Sequence, residues 1–298
     1  MIIGRLKQIL LFLAELIHRH KNMKNNLLVF SSISMALLLG VSSCKNNEAP
    51  AMPVDEVIKD SAKATTVTDL GLLMTNIPAP TDIGKELAKE GVQLNKSILN
   101  PPDKAGSYSG TFQQAVNMGI YGADMGYLAS YNQMQDATQY IVQIAKLASA
   151  LGITSAYDQK LMEQFKSATN NKDSINIVMQ TAFDRAQKEL YSNKRASTST
   201  IIFSGGWIEG LYIATNLVKD EKNDKNADMY ARIWAHVYAF SYLQKALTDY
   251  QSNADCANML KTLQPLFDAA SKLKDAGLKL KDVQDIQKTV TEIRSKLI

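Results

Sequence analysis

The sequence predicts an all-α fold, a helical bundle of about nine helices organised as two four-helix repeats. Three observations predict it. From residue 81 onward, apolar residues recur at three- and four-residue spacing. Strand signals are nearly absent, because Ile201-Ile202-Phe203 is β-prone but short and isolated. The breaks carry turn chemistry: Asn-Pro-Pro at 100–102, Leu-Gly-Ile-Thr-Ser at 151–155, Asn-Asn-Lys-Asp at 170–173, Lys-Asn-Asp-Lys-Asn at 222–226 and Asp-Ala-Gly at 275–277.

Taken in order, Pro78, Pro80 and Thr81-Asp82 signal a helix start, and the first helix is expected over 82–97. Helices over 109–131, 134–151 and 155–169 follow. The stripe Ile175, Val178, Met179, Ala182, Phe183, Ala186 and Leu190 marks a helix over 172–194. Helices over 198–220 and 225–250 come next; the latter carries Met229, Ile233, Val237, Phe240 and Leu247 on one face. Met259, Leu260, Leu263, Phe267, Ala270 and Leu273 mark 254–275. A narrow seam at Val283, Ile286, Val290, Ile293 and Leu297 marks 280–297. The run Tyr121–Ser130 aligns with Gly205–Ala214, each with Gly-x-x-x-Gly followed by an aromatic and an aliphatic residue. This pattern predicts internal repeats over 109–195 and 198–298 within a helical domain of residues 81–298.

The chain has 298 residues, 46% hydrophobic and 21% charged, which suits a folded protein and excludes a disordered one. Two cysteines exclude a disulfide scaffold and a four-cysteine zinc site. The net charge of +4 belongs wholly to residues 1–43; residues 44–298 hold 28 basic and 28 acidic side chains. A balanced domain removes the electrostatic argument for nucleic-acid binding.

Residues 1–43 read as a leader. From Met23, Lys24 is followed by an apolar run from Leu27 to Gly40 and then Val41-Ser42-Ser43-Cys44. The charge–apolar–small order is that of a secretory signal over 23–43, too short to span a bilayer comfortably. Residues 1–22 are a long preface for such a signal, and translation is expected to begin at Met23. The Val-Ser-Ser-Cys ending resembles the lipobox of bacterial lipoproteins. That resemblance implies that Cys44 is lipidated and becomes the new N-terminus, anchored to a membrane by its acyl chains. Cys44-Lys45-Asn46-Asn47-Glu48 resembles, in part, the start of Bacteroidota lipoproteins. It implies an outer-membrane location on the periplasmic or cell-surface face. Asp60-Ser61-Ala62 and Asp173-Ser174-Ile175 resemble the short O-glycosylation motif of that phylum. Residues 44–80, polar and weakly periodic, read as a tether.

The glycine-bearing helices are the least generic feature. Gly119, Gly122 and Gly126 fall on one, and Gly205, Gly206 and Gly210 on another. Each helical glycine costs up to about 1 kcal/mol against alanine, so several together need an offsetting gain. One gain is close packing between the repeats. The other is a groove lined by Gly122, Asp124, Gly126, Tyr127, Gly206, Trp207, Glu209, Gly210 and Tyr212, suited to a small molecule, glycan or peptide. Asp124 and Glu209 are the candidate carboxylate pair for a hydrolase of envelope glycans or polymers, which would need them at a defined separation. His236, the one histidine after the leader, is expected in the core with a backbone or carboxylate partner. Cys256 is expected to be a buried small hydrophobe. There is no Walker loop, dinucleotide fingerprint, HExxH or CxxC, so no metal or cofactor is expected. These features favour a lipid-anchored envelope protein with a non-enzymatic ligand-binding or scaffold role. The alternatives are the hydrolase and a lipoprotein subunit of a larger membrane complex.

Overall fold

The computed structural model describes residues 80–168, 172–273 and 277–298. The leader, Cys44 and the tether, including both Asp60 and its neighbours, lie outside the described residues. Among the described residues there are ten α-helices and no strands. They are α1 (Pro80–Lys89), α2 (Thr111–Ser130), α3 (Met134–Ala150), α4 (Gln159–Ala168), α5 (Lys172–Ser192), α6 (Ala196–Leu217), α7 (Ala227–Tyr238), α8 (Phe240–Asp249), α9 (Ala254–Ser271) and α10 (Leu280–Ser295). The expected repeat 109–195 thus contains α2 to α5. The expected repeat 198–298 takes in nearly all of α6, which starts at Ala196, and α7 to α10.

Several boundaries differ from the sequence reading: the helix expected over 155–169 begins at Gln159, that expected over 254–275 ends at Ser271, and two differences are larger. The helix expected over 82–97 ends at Lys89, because Gly91 adopts φ +75° and turns the chain. Gly91 N–H then donates to Ala88 O at 3.2 Å and Val92 N–H to Leu87 O at 2.9 Å, capping the orphan carbonyls. The helix expected over 225–250 is broken at Ala239 into α7 and α8. Phe240 thereby turns into the core, with its ring 4.0 Å from Trp207 and 5.5 Å from Phe267. Tyr238 and Tyr242 stay exposed on either side. No glycine or proline marks this break, so periodicity alone ran through it.

The core centres on α2 and α6. Both are apolar nearly all round, which in a globular protein marks a central helix. Each carries a single charged residue, Asp124 in α2 and Glu209 in α6. The two helices cross with their backbones in contact. A Cβ on Gly119 would stand 1.9 Å from Ile202 O, and one on Gly205 would stand 2.0 Å from Val116 O. The two contacts are reciprocal, since Ile202 lies one turn before Gly205 and Val116 one turn before Gly119. Only glycine permits this approach.

Candidate functional site

The residues of the expected groove do not share one face, because some join an ionic cluster, some line a cavity and others pack elsewhere.

The cluster is built by α2, α6 and α10. Asp124 and Glu209 have no exposed surface, and Arg294 of α10 is 7% exposed. Arg294 grips Glu209 in a two-pronged pair, Nε to Oε2 at 2.5 Å and Nη2 to Oε1 at 2.7 Å. The same Nη2 donates to Ile98 O at 3.1 Å, and the guanidinium lies 4.2 Å from the centre of the Tyr212 ring. A planar fork over a ring suits arginine specifically. Burial lowers the Arg294 pKa, but the Glu209 hydrogen bond and charge more than offset this and raise it.

Asp124 sits beside this pair. Its Oδ2 accepts from Asn100 N–H at 3.1 Å, while Oδ1 has no donor in reach. Burial raises its pKa well above the usual carboxylate value, and the charge and hydrogen bond of Glu209 raise it further. The raised pKa favours the neutral acid at Asp124, which lessens the cost of an unpartnered buried anion. Asn100 Nδ2 donates to Asn117 Oδ1 at 3.2 Å, and Asn117 Nδ2 donates to Leu297 O at 2.8 Å. These bonds extend the network to the end of α10. The arrangement suits burial of charge in a core. Neither acid opens on the cavity or on solvent, so the pair is not placed across a cleft as hydrolysis of a glycan would need.

The cavity holds about 210 Å³. Its walls come from α2, α3, α4, α5 and α6, with His236 of α7 at one end. Its origin is the run of glycines. A side chain on Gly122 would meet nothing within 4 Å, so the surface just past the crossing is bare. Opposite stand Met179 and Phe183 of α5, half-buried members of the predicted stripe. Met118, Met125 and Phe203 complete this apolar lining, and exposed Gln180 marks its outer edge. Among the described residues no Asp, Glu, Lys or Arg lines the cavity.

Trp207 and His236 stack at one end of the cavity, and Tyr157, Gln187 and Ser199 add further polar groups to the lining. The stacked Trp207 and His236 rings have centroids 5.0 Å apart and 21° between planes. His236 Nε2 is 3.2 Å from Trp207 O. A carbonyl only accepts, so the proton is on Nε2 and Nδ1 carries a lone pair. Burial lowers the His236 pKa to about 4, although the bond to Trp207 O opposes this. His236 Nδ1 and Trp207 Nε1 are buried without a hydrogen-bond partner.

Of the residues expected to line one groove, Gly122, Gly206 and Trp207 line the cavity. Asp124, Gly126, Tyr127, Glu209, Gly210 and Tyr212 do not, because helical rotation turns them to other faces. Tyr127 is fully buried and accepts from Asn95 N–H at 3.0 Å. Gly210 faces His236 and Ile83. Cys256 is fully buried, and burial pushes its thiol up to about 12. The sequence reading did not single out Arg294, Asn100 or the methionine and phenylalanine lining. Arg294 had a signal, since it lies one turn after Val290 on the apolar seam of α10. Among the described residues no group of acidic, His or Cys side chains is arranged to hold a metal, and no helix is long and apolar enough to cross a membrane. No family model matches the chain, and neither a curated protein nor a solved structure matches it.

Proposed function

We propose that this protein is a lipid-anchored component of the bacterial outer envelope that binds a small apolar molecule in the cavity between α2, α5 and α6, without chemistry on it. The observation that carries the reading is the 210 Å³ cavity itself, lined mainly by apolar side chains and, among the described residues, by no charged one. Cavities of this kind stay dry and take apolar guests: an engineered void of about 150 Å³ binds benzene or xenon. The three methionines in the wall suit a guest of variable shape, because the thioether chain adapts its rotamers. The ionic cluster serves in this reading to fix α2, α6 and α10 around the site.

Xenon titration followed by nuclear magnetic resonance tests the binding role. Saturable shifts of the methyl groups of Met118, Met125 and Met179 are expected. Gly122→Leu, which points a side chain into the void, should abolish them while the chain stays folded. Absence of any saturable shift in the wild type would sink the reading. The anchor rests on the lipobox-like Val-Ser-Ser-Cys44. Metabolic labelling with an acyl analogue should mark the wild type and leave Cys44→Ser unmarked.

A further inference from the structure

We propose that the guest is an uncharged, largely apolar molecule carrying a hydroxyl group, and that the hydroxyl is held by Trp207 and His236. This rests on the cavity being a binding site and adds the chemical class of its ligand.

The argument starts from the two unpartnered nitrogens. Trp207 and His236 both line the cavity, and they are 2% and 1% exposed. Trp207 Nε1 can only donate. His236 Nδ1 must accept, because Nε2 spends its proton on Trp207 O. The two stacked rings beside the cavity therefore carry one donor and one acceptor, both buried unsatisfied and reached by a guest once a ring shifts. Each such group costs free energy until a partner arrives. A hydroxyl both accepts and donates at one oxygen, and so answers both nitrogens without adding charge.

The remaining lining limits the ligand further. Among the described residues no charged side chain borders the cavity. Burial keeps His236 neutral down to about pH 4, so at neutral pH it offers no cation to a carboxylate. An ionised guest would lose its hydration without a counter-charge, at prohibitive cost. The body of the ligand must be hydrocarbon to match the Met and Phe walls. Scaled from the benzene-sized void, 210 Å³ takes roughly eight heavy atoms in the enclosed part. A longer tail would leave past the outer edge at Gln180.

The test compares 1-hexanol, n-heptane and hexanoate on the full chain, by displacement of xenon. 1-Hexanol and n-heptane have the same number of heavy atoms and differ in one hydroxyl. Buried without partners, that hydroxyl would weaken 1-hexanol about ten- to hundredfold against n-heptane. With the nitrogens engaged, the two should bind within about fivefold of each other. Hexanoate should show no displacement. Trp207→Phe and His236→Phe should each weaken 1-hexanol about tenfold more than they weaken n-heptane. n-Heptane binding with 1-hexanol at least tenfold weaker would overturn the hydroxyl assignment and leave the apolar site standing. Failure of both would remove the site itself. Should either variant not fold, the comparison on the wild type still decides.

Discussion

Two glycines one turn apart in α2 should respond oppositely to the same substitution. At Gly119 the added Cβ would stand 1.9 Å from Ile202 O and 2.7 Å from Gly206 N. Ordinary contact begins at 3.4 Å, so α2 and α6 would have to part by about 1.5 Å at their crossing. Both obstructing atoms are backbone and have no rotamer to change. Overpacking of side chains costs about 1–3 kcal/mol, and a rigid backbone obstacle should reach the top of that range. Removing a helical glycine returns up to about 1 kcal/mol. Gly119→Ala should therefore lose about 2 kcal/mol net. At Gly122 nothing lies within 4 Å, so Gly122→Ala keeps the propensity gain of up to about 1 kcal/mol. The two variants should differ by about 3 kcal/mol, or roughly 6–12 °C in Tm for a domain of this size. Urea denaturation with matched m-values measures the gap. Equal stability of the two variants, or a less stable Gly122→Ala, would refute the close-crossing argument.

Other expectations follow from the buried groups. Arg294→Leu should cost about 3–5 kcal/mol in urea denaturation, because Glu209 would be left buried without its counter-charge; Glu209→Leu added to Arg294→Leu should recover much of that loss. Asp124 has a raised pKa, so its contribution is full below the usual carboxylate value and is lost as pH rises through its folded pKa; Asp124→Asn should flatten that alkaline decline in stability measured from about pH 4 to about pH 9. His236 has a lowered pKa, so its contribution is full above 6.5 and lost as pH falls toward about 4, a change of about 3 kcal/mol that should be missing from His236→Gln in an acid titration. Cys256 should react with a thiol reagent only on unfolding, because it is fully buried and its thiol is pushed up to about 12.

The helical periods were legible because amphipathic faces are local properties. The stripe on α5 and the seam on α10 could be read one residue at a time, and both helices formed where the spacing put them. The break at Ala239 was not legible, because its cause is the docking of Phe240 between Trp207 and Phe267, residues distant in sequence. The glycines were legible as unusual, but not by role. Gly119 and Gly205 close the crossing, while Gly122 opens onto a void. That division depends on which turn meets the partner helix, and a single sequence does not contain it. Asp124 and Glu209 stood out as the lone charges on apolar helices, which is a signature of buried charge as much as of a cleft. Their partner Arg294 lay 85 residues beyond Glu209, hidden among the polar residues flanking a seam.

The distances along the chain between central partners have a kinetic consequence. Helical proteins usually fold quickly because their contacts are local. Here the contacts that matter most join residues far apart: 85 positions from Glu209 to Arg294, 180 from Asn117 to Leu297, and 196 from Ile98 to Arg294. Each such closure costs chain entropy before any contact rewards it. The individual helices can flicker into place in microseconds. Closing the buried ionic cluster, however, requires α10 to return onto α2 and α6. In the rate of reaching its native state, this all-helical chain should behave more like a β-sandwich than like a simple bundle.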